Sequence, residues 1–357
     1  MASVSLPDDL VLEVLQRVKD VATLFRWPRP VLDPSRRFLG SLVPNINDKF
    51  NQPVPLTSRQ GLLLVRLNRY QGYGLLGVCN LITGAFDVLP PLEHTWSSDN
   101  NHLAGYAILT ARDYSSSRDH PEEQQLPFFK VMILTIDANM MQYNLQTISS
   151  ANESEWKISF GSLKNKSQSI YMVLRQHNAV VCRGMAHWLF SSTSGLYTLD
   201  VDARTDHVSF TNLLDMGRID NYFGRPTYGA PYLAVNGKGR LMLIYLHKGG
   251  YRLEVCTSHN NGRWHHALAR KLKQPNQKKN EKKTQGEVLY TCLGEKNGTL
   301  IIKDNHHDAY VIDINTVVVQ EVIDSPHTRH LNREKTVPFE MDWPAFFVSR
   351  LAVVSTW

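Results

Sequence analysis

Residues 6–25, LPDDLVLEVLQRVKDVATLF, carry apolar side chains at Leu10, Val11, Val14, Leu15, Val18, Val21, Leu24 and Phe25. Steps of three and four put these positions on one face of a helix. Pro7 and Asp8 suit its first turn, where a missing amide costs nothing and a carboxylate complements the helix dipole. Trp27-Pro28-Arg29-Pro30 ends the pattern, because an interior proline deletes a hydrogen bond and clashes with the preceding turn. From Gly61 the period becomes that of strands: LLLVRL, LLGVCNL, FFKVMILTI, YMVLRQ, AVVCRGMAHWLF, GLYTLDV, YLAV, RLMLIYL, YRLEVCT, GTLIIKD and AYVIDI, punctuated by Gly, Asn, Asp and Ser. No gap between them has room for a crossover helix. The pattern predicts a mainly β, antiparallel protein with a short α-helical amino-terminal segment.

A loose unit recurs within the strands: an apolar strand, a polar turn, a second strand ending near Asp, and a third short strand. His187-Trp188-Leu189-Phe190 leads to Leu196-Tyr197-Thr198-Leu199-Asp200 and His207-Val208-Ser209-Phe210. Two similar units follow, and the second strands recur at Leu199, Leu253 and Val311. The template also fits residues 62–88 and 128–160. Five readable units predict a degenerate β-propeller of five to seven blades, with a β-sandwich as the alternative.

Composition narrows the class without naming a function. Of 357 residues, 42% are hydrophobic and 20% charged, so the chain can build a core and is neither disordered nor a rod. The net charge of +6 gathers in residues 270–283, where seven Lys and Arg face only Glu281. No aromatics interleave with them, so stacking platforms for nucleic acid are missing and a solvated loop is expected. No apolar stretch nears the ~20 residues of a membrane span, and the amino end lacks a secretory pattern. Cys79, Cys182, Cys256 and Cys292 are widely spaced, which suggests neither a disulfide framework nor a thiolate metal site. A reduced, intracellular protein of the cytoplasm and/or nucleus is expected, with the sequons at Asn152, Asn165 and Asn297 unmodified.

Candidate chemistry is sparse. Gly72-Tyr73-Gly74-Leu75-Leu76-Gly77 spells a dinucleotide fingerprint, but a hairpin pattern follows where a helix is required. His265-His266 and His306-His307-Asp308 read as exposed turn residues, since neighbours on a strand point to opposite faces and cannot share a metal. His187 reads as a hydrogen-bonded blade residue rather than a general base. No catalytic, metal or cofactor site is expected. Tyr222, Phe223, Tyr228 and Tyr232 cluster near Gly224 and Pro226, where aromatics either anchor a partner or close a blade.

The opening Leu6-Pro7-Asp8-Asp9-Leu10-Val11-Leu12-Glu13-Val14-Leu15, with Val18-Lys19-Asp20-Val21 and Leu24-Phe25-Arg26, resembles the first part of an F-box. With Gly184-Met185-Ala186-His187-Trp188-Leu189, Gly195-Leu196-Tyr197-Thr198-Leu199-Asp200-Val201 and Asp342-Trp343-Pro344-Ala345-Phe346-Phe347, the whole chain resembles plant F-box proteins with an F-box-associated propeller-like domain. Where that family continues into a second helix, this chain passes directly to Trp27-Pro28 and then Asp33-Pro34-Ser35, as in a truncated F-box.

The resemblance implies three parts: a truncated helical F-box at 1–39, a linker at 40–58 and the β domain at 59–357. It implies a non-enzymatic substrate receptor of an SCF-type ubiquitin ligase. Leu6, Pro7, Leu10, Val11, Val14, Leu15, Val18 and Val21 would dock on a Skp-type adaptor and through it a cullin. The propeller loops would hold an unknown target protein; no cofactor, membrane or nucleic-acid partner is implied. A second reading keeps the propeller as an interaction module that has lost the adaptor.

Overall fold

The computed structural model describes residues 53–68, 74–80, 85–92, 104–114, 129–137, 142–150, 155–163, 173–192, 195–215, 231–236, 238–246, 252–258, 264–271, 290–296, 298–316 and 318–323, with Arg329 and Val337. The helical segment and its eight adaptor positions lie outside these residues, as do Tyr222, Phe223 and Tyr228. The described residues all belong to one compact unit, 46–357.

Among the described residues the strands form five antiparallel sheets, in the arrangement of a five-bladed β-propeller. Blade 1 is β1 (Val54–Arg59), β2 (Leu62–Asn68), β3 (Gly74–Asn80) and β4 (Phe86–Val88). Blade 2 is β5 (Ala104–Thr110), β6 (Phe129–Asp137), β7 (Gln142–Ser149) and β8 (Lys157–Ser162), with a one-turn helix α1 (Ala111–Tyr114) after β5. Blade 3 holds β9 (Val173–Leu174), β10 (Val180–Cys182), β11 (Met185–Ser191), β12 (Gly195–Asp202) and β13 (Val208–Asp215). Blade 4 is β14 (Tyr232–Val235), β15 (Leu241–Leu246), β16 (Arg252–Ser258) and β17 (Trp264–Lys271). Blade 5 is β18 (Tyr290–Lys296), β19 (Thr299–Asp304), β20 (Ala309–Asp313) and β21 (Val318–Ile323). Five blades replace the broader expectation of five to seven, and the sandwich alternative falls.

Near-continuous apolar strands follow from blades being covered on both faces. On β6, Phe129, Val131 and Ile133 pack with Leu64 and Val78 of blade 1, while Met132, Leu134 and Ile136 pack with Trp188 and Leu199 of blade 3. Similar clusters join blades 3 and 4 through Leu189, Leu196, Leu233 and Leu243, and blades 4 and 5 through Ile244, Val255, Leu300 and Ile312. Period-two alternation therefore sorts apolar side chains between two neighbours rather than between core and solvent.

One close approach sets the packing of blades 2 and 3. A Cβ on Gly105 of β5 would fall 2.5 Å from Cδ1 and Nε1 of Trp188, so glycine lets the blade 3 indole press on the backbone of blade 2. Charged ties reinforce the structure: Lys130 Nζ binds Asp206 and the Ala203 carbonyl of blade 3, and Arg59 binds Asp113 of α1.

The strand-ending Asp residues have different causes. Asp313 accepts a backbone amide of the turn that follows β20, the side-chain capping that makes Asp a turn former; Asp200 instead bonds His187, and its neighbour Asp202 caps the turn after β12. The sequence units matched the outer three strands and missed the innermost one. β1 begins at Val54, inside the stretch read as a linker, and carries Pro55 at a bulge; such a strand reads as loop from sequence.

Candidate functional site

The inner strands β1, β10, β14 and β18 bound a cavity of about 460 Å3 at the end of the axis where their hairpin turns lie. β1 and its turn contribute Thr57, Ser58, Arg59 and Gln60; β10 and its turn contribute Cys182 and Arg183. Blade 4 supplies Tyr232, Val235 and Asn236, and blade 5 supplies Glu295 and Gly298.

Two rim hairpins place polar side chains in a demanding conformation. Gln60-Gly61 joins β1 to β2 and Arg183-Gly184 joins β10 to β11, each a two-residue turn. Both residues of each turn have positive φ: 45° and 84° in the first, 51° and 74° in the second. Glycine takes this conformation freely, but Gln and Arg pay a steric cost. Arg183 is exposed at the rim.

Blade 3 supplies an irregular wall. Its inner edge is divided, β9 pairing with Phe190–Ser191 and β10 with Met185–His187. Between them residues 176–179 leave the blade. The amide of Tyr106 on β5 donates to the His177 carbonyl, and the amide of Ala179 donates to the Tyr106 carbonyl. The His177 ring donates from Nδ1 to the Ala104 carbonyl at 2.9 Å. Gln176 clasps the backbone of Leu233 on β14, accepting its amide at 3.0 Å and donating to its carbonyl at 3.3 Å. The segment thus fixed carries Asn178 on the cavity wall, and its Oδ1, buried, has no hydrogen-bond partner among the described residues.

A second polar group crosses blade 3 from the cavity outward. Val180 lies opposite His187, His187 opposite Asp200 and Asp200 opposite Ser209. Residues two apart on a strand share a face, so Cys182, His187, Asp200 and Thr211 line up on one side of the blade. The distances bear this out: His187 Nε2 lies 3.5 Å from Cys182 Sγ, His187 Nδ1 lies 2.7 Å from Asp200 Oδ1, and Thr211 Oγ1 donates to Asp200 Oδ2 at 2.5 Å. Cys182, His187 and Asp200 are all buried. Burial works to lower the His187 pKa, but its hydrogen bonds to Asp200 and Cys182 and their charges outweigh it, and the pKa is pushed up to about 9.

His187 is therefore a hydrogen-bonded blade residue, as its sequence context suggests, and also the middle member of a Cys-His-Asp array. Tyr232 sits in β14, where its hydroxyl accepts the Glu295 amide at 3.1 Å across the seam to blade 5. His306 and His307 occupy the exposed β19–β20 turn. His265 and His266, expected in a turn, lie instead in β17. Gly74 and Gly77 of the dinucleotide-like run lie in β3, where a Cβ on Gly77 would strike the Phe86 ring. Among the described residues no group of three or more His, Cys, Asp or Glu could hold a metal.

No protein-family model and no curated protein matches the sequence. Among solved structures the chain is similar to the α-L-arabinofuranosidase Arb93A of Fusarium graminearum, at 10% identity and a TM-score of 0.41, over 83% of this chain and 84% of that one. It is also similar to a Penicillium chrysogenum α-L-arabinanase complexed with arabinobiose, at 10% identity and a TM-score of 0.38, over 74% and 78%. A Lactobacillus plantarum protein aligns at 8% identity with a TM-score of 0.40, over 77% and 72%. The expected non-catalytic SCF receptor, its interaction-module variant and the ubiquitination role attached to them are corrected here: the first two of these similar structures are enzymes, an α-L-arabinofuranosidase and an α-L-arabinanase, rather than receptor subunits. The physical reason is that blades are a generic mount, so strand units shared with a receptor family carry no information about what the axial end does.

Proposed function

We propose that the axial cavity binds a small polar molecule that donates a hydrogen bond to Asn178. The carrying observation is Asn178, a residue of the cavity lining whose Oδ1 is buried and without a hydrogen-bond partner among the described residues. A buried polar atom left without a partner costs about 1–3 kcal/mol, and a ligand donor recovers that cost. The cavity volume lies in the ~300–1,000 Å3 range of small-molecule sites. Arg183 and Glu295 place one charge of each sign on its lining, and Arg59 is neutralised by Asp113. A neutral polyol or a zwitterion fits that balance better than a polyanion. Glycosidic hydrolysis commonly uses a pair of carboxylates about 5–10 Å apart. Glu295 is the one carboxylate among the described residues lining the cavity, so glycoside cleavage is not assigned to it.

The test is a thermal-shift screen of the full chain against monosaccharides, polyols and free amino acids. A ligand present at about 100 times its Kd stabilises by ~2.7 kcal/mol. At least one compound is expected to raise the Tm, and Asn178→Ala is expected to weaken that compound about tenfold, as loss of one hydrogen bond does. Absence of any shift, or a shift unchanged in both Asn178→Ala and the cavity-filling Val235→Trp, defeats the reading. Arg183→Asn is expected to act in two directions at once. It raises stability by about 0.5 kcal/mol, because Asn tolerates positive φ, and it lowers affinity for the same compound.

A further inference from the structure

We infer that Cys182 is a nucleophilic thiol, paired with His187 and positioned through Asp200, that takes the acyl group of a small ester bound in the axial cavity. The inference rests on the binding reading for the substrate's place and adds the chemistry. Three observations meet at this point in the fold. Cys182 is one of the residues lining the cavity. His187 Nε2 is 3.5 Å from that sulfur, within reach for sulfur in an unliganded site. The other ring nitrogen is fixed by Asp200, itself held by Thr211. Nucleophile, proton carrier and orienting carboxylate thus occur in the order that activates a thiol or hydroxyl on unrelated folds. A cross-strand network serving the blade alone needs no thiol at its cavity end, because His187, Asp200 and Thr211 already link β11, β12 and β13.

In the assigned step the thiol proton is on His187 Nε2 at the moment of attack, and the sulfur supplies an electron pair. That pair forms the S–C bond at the ester carbonyl while the C=O π pair moves to oxygen. The π pair then returns, the C–O bond to the alcohol breaks, and the alcohol leaves with the Nε2 proton. Water attacks the thioester with Nε2 as base. The carboxylic acid departs, the thiol pair is restored, and the sum is ester plus water giving acid plus alcohol. Asp200 and Thr211 are positioning residues, since neither lies on the cavity lining.

Three measurements on the full chain decide the inference. Iodoacetamide, which places a carbon on sulfur as iodide leaves, is followed peptide by peptide at neutral pH. Cys182 is expected to react about tenfold or more faster than the half-buried Cys292, and equal or slower labelling overturns the inference without any variant. The excess is expected to vanish in His187→Gln; where that variant does not fold, Asp200→Asn is read instead, and persistence of the excess in the folded variant overturns the pairing. p-Nitrophenyl acetate is expected to release about one equivalent of nitrophenol in a burst, absent in Cys182→Ser. Fast alkylation without a burst removes the acyl-transfer assignment. A compound that binds beside an unreactive Cys182 leaves the cavity reading standing and this one fallen, and a reactive Cys182 in a cavity that binds nothing does the reverse.

Discussion

Truncating Trp188 to alanine is expected to lower stability by about 3–5 kcal/mol in denaturant unfolding, the range for a large aromatic removed from a packed interior. The indole is fully buried between blades 2 and 3, among Leu134, Leu145 and Leu199. Gly105→Ala is expected to cost about 1–3 kcal/mol, because its new Cβ would lie 2.5 Å from the same ring and one of the two must move. The pair gives a sharper readout than either change alone. With Trp188 already alanine, the Gly105 substitution has room and should cost little, so the double variant should be more stable than the sum predicts by about 1 kcal/mol or more. Strict additivity would show that the indole does not rest on Gly105.

The second large effect is a dependence on pH. The His187 pKa is raised from 6.5 to about 9 in the folded protein. A raised pKa means that the folded state holds the proton more tightly, so the contribution is complete below pH 6.5 and disappears as pH climbs through about 9. Two and a half units correspond to about 3 kcal/mol. Asp200→Asn keeps the shape and removes the charge, and it is expected to be less stable than the parent at pH 6, with the gap narrowing by pH 10, Cys182 holding part of the shift. Urea titrations of both proteins at the two pH values check this. A gap independent of pH would mean that His187 is neutral in the fold.

The propeller was legible because the middle strands of its blades are long, apolar on both faces and closed by Asp and Gly turns. The inner strands were harder to see. YLAV of β14 and the start of AVVCRGMAHWLF, which holds β10, read as strands but joined no repeat unit, and β1, with Pro53 before it and Pro55 within it, read as linker. The cavity is built from these strands and their turns, which is why its lining escaped the sequence reading. Gly61 and Gly184 were visible, but the positive φ of Gln60 and Arg183 depends on a two-residue hairpin that only the register fixes. The Cys182 array had a partial signal. The β11–β12 register sets His187 opposite Asp200, and two strand motifs so close in sequence could have been read as an antiparallel pair. Cys182 and Thr211 sit on the flanking strands of the same blade, and placing them beside that pair needed the sheet. The family resemblance rested on residues 6–35, on strand motifs of blade 3 and on residues 342–347, and of these only Gly184 belongs to the cavity rim among the described residues.

Residues 176–179 lock into both neighbours of blade 3, through Tyr106 on one side and Leu233 on the other. Blade 3 is consequently a keystone: the peptide that ties the ring together is the one that displays Asn178 to the lumen. Amide protons of Tyr106, Ala179 and Leu233 are therefore expected to exchange together, and a molecule seated against Asn178 would bear on three blades through one short span of backbone.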